Sequence, residues 1–433
     1  MLTYNIIPED ITKHRFNKKI SKKTAFIVFS LLLISLLFRC WAVRYAHFVR
    51  DEARFWGIAR GIALGKLFPL LGPSLSGTIA KHPGPLFYYL MAIPQLLGAS
   101  PFFGSIFVAI LHVFSGWLLF LLVRQIRGDR AGIIALILFA FAPWDVVYAD
   151  RIWLSCVAPV WATVTLYGAT RFHLSPKWQV IFIVFALTLP QFHMSAPFIW
   201  IGVIVMLLLN RPVFVSKKAL IIGVILVIFM YCPMIYYEST HNLSNLKSIL
   251  GKGTGQISFA KSIYHSLKVF GYTFLFSTSE FSYHLRAGEW GGFNEIKTYF
   301  TLNGWKEYLT LHKFWTFFYL ISIFTVLFAW IKVGLRLRKN LSPSELNKLG
   351  KISFEDKIML MLFTCIITNA IFIVLARKPY YPHYSNLLIP MIFIPLTLFI
   401  DSLFNTRHLS KINTVFSKYL KVREDKNFAV VSY

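Results

Sequence analysis

The sequence predicts an all-α protein that crosses a membrane many times. Of its 433 residues 56% are hydrophobic and only 15% charged, with a mean hydropathy of +0.60, a balance too apolar for a soluble globule of this length. The apolar residues fall in runs of about 15 to 22, enough at 1.5 Å rise per residue to approach or cross ~30 Å of hydrocarbon. Lys and Arg collect in the short stretches between those runs, as positive-inside topology requires. That clustering assigns the formal charge of +27 to loops facing one side of the bilayer rather than to a nucleic-acid surface. Cys40, Cys156, Cys232 and Cys365 are scattered, with no CxxC pair, so neither a disulfide framework nor a zinc site is indicated.

The elements follow in order. Residues 1–23 end in KKISKK and lead into the apolar run Thr24–Ala42, read as an uncleaved signal anchor with a cytoplasmic N-terminus. Arg39 near its far end is expected to snorkel to the interface. Residues 43–101 then form a first extracytoplasmic loop. Within it Phe55, Ile58, Ala59 and Ile62 recur at helical spacing and Gly65 suits a C-cap, which predicts an interfacial helix over Asp51–Leu64. KHPGP opens a second short helix in PLFYYLMAIPQLLGA. Reading that helix as interfacial leaves the basic RQIRGDR loop in the cytoplasm.

Spans are expected at Phe102–Val123, Ala131–Ala149, Leu154–Phe172, Trp178–Pro190, Ser195–Leu209 and Lys218–Tyr237. A long outer segment, 238–312, follows, in which Phe259–Ser277 is read as a surface helix. Lys313–Ile331, Ile358–Ala376 and Leu387–Leu403 complete a bundle of about ten transmembrane helices. Residues 1–403 thus form one transmembrane domain. Residues 404–433 form a basic cytoplasmic tail, where Leu409, Ile412, Phe416, Tyr419 and Leu420 alternate with lysines as in a helix lying on an anionic leaflet.

Charged and aromatic candidates collect on one face of this topology. Asp51 and Glu52 follow the first span closely; they either pair with Arg50 or Arg54 at the interface or place a carboxylate where it can deprotonate an acceptor hydroxyl. Lys81 and His82 precede prolines at a helix start, where a cation and free amides would favour a phosphate; the alternative is a snorkelling Lys beside a turn. Asp145, Asp150 and Arg151 lie in APWDVVYADRIW, and acids at the edge of a membrane helix are functional candidates, although Asp150 and Arg151 also suit a structural pair. Gln191 and His193 occupy the turn QFHMSAP. ARKPYYPHY carries Arg377, Lys378, Tyr380, Tyr381, His383 and Tyr384, with rings that could stack on a sugar or form an interfacial aromatic belt.

DEARFWGIAR after the first span, KHPGPLFYYL at the end of the first loop, RQIRGDRAGIIALILFAFAPW running into DRIW, and the QFHMSA turn together resemble the GT-C class of integral-membrane glycosyltransferases. The likeness is to the branch of protein O-mannosyltransferases, lipid A aminoarabinose transferases and bacterial glycosyltransferase 39-like proteins. It covers about the first 200 residues; beyond them it rests on general layout and the HYSNLLIP run. The resemblance implies a polyprenyl-phosphate-linked sugar donor, an extracytoplasmic active site and inversion at the anomeric carbon. It matches Asp51 to the acidic residue taken as catalytic, with Glu52 its usual neighbour, puts His82 at the position that contacts donor phosphate, and matches Arg151 to the Arg heading the fourth span. The family's His-Pro-Pro-Leu is here HPGPL, with Gly84 between the prolines.

The expected function is therefore transfer of a hexosyl or pentosyl group from a polyprenyl phosphate to an acceptor hydroxyl at the outer face of the cytoplasmic membrane. Asp51, Glu52 and Asp150 are the expected catalytic residues and Lys81, His82 and Arg151 the donor-phosphate ligands. Gln191, His193, Tyr380, His383 and Tyr384 are expected on the substrate. Glu280, Arg286, Glu289, Trp290 and Trp305 in the long outer segment are expected to read the acceptor glycan, lipid or protein. A divalent cation, Mg2+ or Mn2+, could neutralise the leaving group, though no dedicated ligand set is present in the sequence. The rival class is a transporter or flippase of lipid-linked saccharides, which should show interrupted helices with charges at the membrane midplane.

Overall fold

The computed structural model describes residues 19–46, 48–75, 79–209, 215–251, 257–277, 313–340, 352–377 and 386–404. Among these residues the secondary structure is helical, apart from one isolated antiparallel bridge between Ser74 and Lys81. Helix α1 (Lys22–Ala42) starts at Ser21, whose hydroxyl accepts from the Thr24 amide at 3.0 Å, a side-chain cap on one of the free N-terminal amides. Two short helices follow, α2 (Arg50–Ala63) and α3 (Leu86–Ala92), before α4 (Pro101–Arg127). Gly128, at φ 95°, turns the chain directly from α4 into α5 (Asp129–Ala140).

The span expected over Ala131–Ala149 is instead two helices. α5 ends at Ala140, and α6 (Pro143–Tyr148) begins anew at its proline. Pro143 has no amide to bond back and disfavours helical geometry in the residue before it, so a continuous helix fails there. Helices α7 (Leu154–Arg171), α8 (Pro176–Thr188), α9 (Ala196–Leu209) and α10 (Lys217–Thr240) then follow, α8 packed on both α7 and α10. α11 (Ser244–Gly251), α12 (Phe259–Ser277), α13 (Lys313–Asn340), α14 (Phe354–Ala376) and α15 (Phe393–Phe404) complete the described chain.

Five described stretches are long and apolar enough to cross a membrane: α1, α4, α10, most of α14 and Asn386–Phe404. The protein is an all-α polytopic membrane protein. α7 runs through the middle, with its residues from Leu154 to Thr170 buried on almost every side. α1 and α10 are at the periphery, where Phe26, Phe29 and Leu37 on one and Ile221, Ile225 and Phe229 on the other are exposed, as lipid-facing side chains should be. α12 covers the helix expected over Phe259–Ser277, with Phe259, Ile263, Tyr264 and Leu267 exposed along one face. Its Ser262, Ser266 and Val269 are buried at helical spacing and it packs along α14 and α13, because those small residues let the two backbones approach.

Arg39 differs from expectation. It is fully buried, bonded to Asp145 and Ser35, and donates to the carbonyls of Phe139 at 3.3 Å and Ala140 at 3.0 Å. Those carbonyls end α5, where Pro143 has no amide to return to Phe139 and the Ala142 amide reaches that carbonyl at 3.2 Å. The interruption thus creates the acceptors that draw a guanidinium inward instead of letting it snorkel.

Polar side chains divide between the two ends of the bundle. At one end Thr24 donates to Asp129 at 2.9 Å, Arg127 grips Glu355 at 2.9 and 2.8 Å, Arg336 reaches Asp356 at 2.9 Å and Arg130 reaches Asp401 at 2.7 Å. These pairs tie α1, α4, α5, α13, α14 and α15 together. The other end carries α2 and α3.

Candidate functional site

α2 exposes Asp51 and buries Glu52 because successive helical residues point about 100° apart. Phe55, Trp56 and Ala59 continue the buried face of Glu52, while Asp51 lies on the side of Arg54. That buried face docks on α3 through edge-on contacts of Phe55 with Phe87 and Tyr88 at 5.5 and 6.0 Å. The Trp56 indole donates to the Ala99 carbonyl at 2.7 Å, and Gln95 donates back to the Trp56 carbonyl at 3.0 Å. Asp51 is 46% exposed and meets Arg54 at 3.3 Å.

Glu52 is buried and joined to Arg151, whose Nε donates to Oε1 at 2.9 Å while Nη2 bonds the same oxygen. Both donors use one oxygen, and Oε2 has no hydrogen-bond partner among the described residues. An orphaned buried carboxylate oxygen is costly and marks a place for a donor group. Arg151 also lies 5.4 Å from the Trp153 ring. Asp150 is buried beside this pair; loss of solvation pushes its carboxyl up to about 8, against the pull of Arg151 and with a small push from Glu52. It is therefore neutral at pH 7.

Asp145 belongs to a separate, deeper cluster. Its Oδ1 takes His112 Nδ1 at 2.8 Å and its other oxygen takes Arg39, while His112 Nε2 donates to the Cys156 carbonyl at 2.6 Å. All three side chains are at most 1% exposed. His112 was not among the residues named from sequence, and Arg39 was expected as a snorkelling side chain rather than as a partner of Asp145. The available signal was their presence inside apolar runs, where an ionisable residue needs a partner.

Lys81 and His82 lie on a short pair of antiparallel segments. Leu75 donates to the Ala80 carbonyl and His82 to the Pro73 carbonyl, both at 2.8 Å, and Gly72 donates to the His82 carbonyl at 3.1 Å. The Lys81 side chain is exposed, with no carboxylate partner among the described residues. His82 is half-buried with Nδ1 3.5 Å from the Pro190 carbonyl. Loss of solvation pushes its imidazole down to about 4, the Pro190 contact opposing, so without a ligand it is neutral.

Gln191 and His193 are placed as supports. Gln191 Oε1 accepts from the Leu86 amide at 3.1 Å and its Nε2 donates to the Met230 carbonyl at 3.3 Å, so both ends of its amide serve the backbone. His193 Nδ1 accepts from the Ser195 amide at 3.2 Å, just before α9 begins. The Gln191 side chain also explains Gly84. That residue has φ 114°, and a Cβ there would run into the Gln191 amide. We expect Gly84→Ala to destabilise the protein by about 1 kcal/mol or more through backbone strain and displacement of Gln191, read as a lowered unfolding midpoint.

The structure therefore joins Glu52, Asp150 and Arg151 in one buried group and seats His82 against the turn that carries Gln191. No described hydrogen bond or ion pair links Asp51 to Lys81 or His82; α3 lies between them, touching Phe55 on one side and Gln191 on the other. Tyr380, His383, Tyr384, Lys378 and Tyr381 lie outside the described residues, as do Glu280, Arg286, Glu289, Trp290 and Trp305. No three His, Cys, Asp or Glu side chains converge among the described residues, and Arg151 already neutralises Glu52. The described residues thus do not make up a divalent-cation site, which would need several convergent oxygens.

No family model matches the chain, and no curated protein matches its sequence. Solved structures do match in fold. ArnT from Cupriavidus metallidurans bound to undecaprenyl phosphate superposes with a TM-score of 0.55 at 14% identity, covering 86% of this chain and 60% of that one. Its apo form gives 0.54 at 15% identity over 88% and 60% of the two chains. The Archaeoglobus fulgidus oligosaccharyltransferase in the apo form gives 0.49 at 15% identity over 90% and 52%. The fold is that of the GT-C membrane proteins, and the chain spans about 60% of the length of the ArnT structures it matches.

Proposed function

We propose that the chain is an integral-membrane glycosyltransferase that moves a sugar from a polyprenyl-phosphate donor to an acceptor hydroxyl at the extracytoplasmic face of the cytoplasmic membrane. The observation that carries the reading is the arrangement at the α2 end of the bundle. An accessible carboxylate, Asp51, adjoins the buried Glu52–Arg151 pair, and the exposed cation Lys81 with His82 is held on the same side of a fold shared with ArnT, whose structure is bound to undecaprenyl phosphate.

In this reading Asp51 accepts the proton of the acceptor hydroxyl as its oxygen forms the new bond to the anomeric carbon. The bond from that carbon to the phosphate oxygen breaks, and its electron pair leaves with the polyprenyl phosphate. Lys81 offsets the phosphate charge. His82 joins it by taking up a proton, because an anion beside a neutral imidazole favours the charged form. Glu52, buried beside Asp51, holds Arg151 in place. Attack opposite the leaving phosphate gives inversion.

The test is transfer from a labelled polyprenyl-phosphate sugar in membranes carrying Asp51→Asn or His82→Ala. Loss in both is the outcome expected, and unchanged transfer in both would overturn the reading. Asp150 adds a pH signature. Its folded carboxyl titrates near 8, above its ordinary 3.8, so the native state holds a proton that the unfolded state lacks between those values. Its stability contribution is fully present below 3.8 and is lost as pH rises through about 8. Ionisation there also sets a second carboxylate against Glu52 for Arg151. We expect kcat/KM of the native enzyme to fall above pH 8, and Asp150→Asn to remove that alkaline fall.

A further inference from the structure

The two hydrogen-bonding groups of the Lys81 backbone face away from the antiparallel pairing that holds its neighbours. Ala80 and His82 bond across to Leu75 and Pro73, so the amide and carbonyl of Lys81 between them point to the opposite side, as they alternate in any strand. Both are taken by one side chain. Asn245 Oδ1 accepts from the Lys81 amide at 2.7 Å, and Asn245 Nδ2 donates to the Lys81 carbonyl at 3.2 Å. The side-chain amide completes the pairing as a third strand would. Asn245 is only 6% exposed, whereas the Lys81 side chain it supports is exposed.

Asn245 is itself held firmly. It lies in the first turn of α11, joined to the end of α10 by an elbow in which Asn242 and Leu243 have φ 53° and 57°. For leucine that conformation costs energy and persists only where the surroundings enforce it. Here Glu238 enforces it: its carbonyl accepts from the Leu243 amide at 3.0 Å and its Oε1 from the Leu246 amide at 3.1 Å. The other end of the same turn, Leu86, hangs from Gln191, which bonds in turn to Met230 of α10. Two side-chain amides thus brace residues 81–86, one from the first turn of α11 and one from the turn that bonds to α10.

We propose that Asn245 is a positioning residue that aims Lys81, so that the α10–α11 elbow sets the grip on the donor phosphate. This rests on the reading of Lys81 as a phosphate ligand. It reassigns the start of the long segment after residue 238 from the acceptor to the donor side of the site. An exposed lysine has many rotamers and a mobile backbone would add more. Fixing both backbone groups removes that freedom before an anion arrives, which is the physical content of preorganisation.

The test uses the full chain in lipid nanodiscs with Asn245→Ala and Asn245→Asp. Aspartate still accepts from the Lys81 amide but cannot donate to its carbonyl, and it brings a competing carboxylate near the ammonium. Amide hydrogen exchange over residues 79–86 should rise about tenfold in Asn245→Ala, with α2 and α7 unchanged. KM for the polyprenyl-phosphate sugar should rise about tenfold in both variants, with kcat and the acceptor KM within about twofold of native. Native exchange in both variants would overturn the clamp. Raised exchange with native donor KM would show that Asn245 is only structural and overturn its role in aiming Lys81. A native chain that neither binds polyprenyl phosphate nor transfers sugar would overturn the reading of the site itself, a result distinct from either.

Discussion

Asp51→Asn is expected to lower sugar transfer by about 10²–10⁴-fold, the contribution of a positioned general base, while leaving the protein folded and its affinity for polyprenyl phosphate unchanged. The separation of effects follows from the two neighbouring carboxylates. Glu52 is 1% exposed and holds a buried guanidinium, so removing its charge strands Arg151 and confounds chemistry with stability. Asp51 is about half exposed and its only described ion pair is to Arg54, at 3.3 Å within the same helical turn. Such exposed pairs contribute little to stability, and asparagine keeps the shape and one acceptor oxygen. Arg54 can swing away when an acceptor hydroxyl approaches, whereas Arg151 cannot leave Glu52 without exposing a charge to the protein interior. Single-turnover transfer measured beside polyprenyl-phosphate binding separates the two quantities. Transfer at the native rate by the folded Asp51→Asn variant would remove Asp51 from the chemistry.

What the sequence disclosed and what it hid divide along a physical line. α2 was legible because its apolar residues repeat at helical spacing and its acids sit in the first turn; the helix runs Arg50–Ala63 against an expected Asp51–Leu64. α4 and α10 were legible because length and hydropathy decide them. The break at Pro143 was visible as a residue, but counting apolar residues between charged loops carried the span across it. Burial of Arg39 follows from that same break and was hidden with it. Partners brought together by folding leave no period in the chain: Asn245 and Lys81 are 164 positions apart, Glu52 and Arg151 99. Neither an asparagine nor a glutamine carries in its sequence context a signal that separates a backbone clamp from a substrate contact. Gln191, expected on the substrate, places both ends of its amide on backbone groups.

Asp145→Ala should cost about 3–5 kcal/mol of stability, the usual effect of stranding a buried charge, without touching a residue proposed to meet substrate. Asp145 receives Arg39 on one oxygen and His112 on the other at 2.8 Å, and both partners are buried to 1% exposure or less. Removing the carboxylate leaves the guanidinium, among the described residues, with Ser35, the carbonyls that end α5 and the Phe139 ring. It also frees His112, whose other nitrogen remains on Cys156 of α7. α1, α4, α6 and α7 lose their common contact at once. The cost belongs to the unpaired charge rather than to the loss of an attractive pair, since desolvation of both ions offsets most of what their pairing gains. The double variant Arg39→Met with Asp145→Leu should therefore recover most of the stability lost in Asp145→Ala. Unfolding titrations in mixed micelles measure both. A single variant costing less than about 1 kcal/mol would mean that water reaches Arg39 and that the cluster is not sealed.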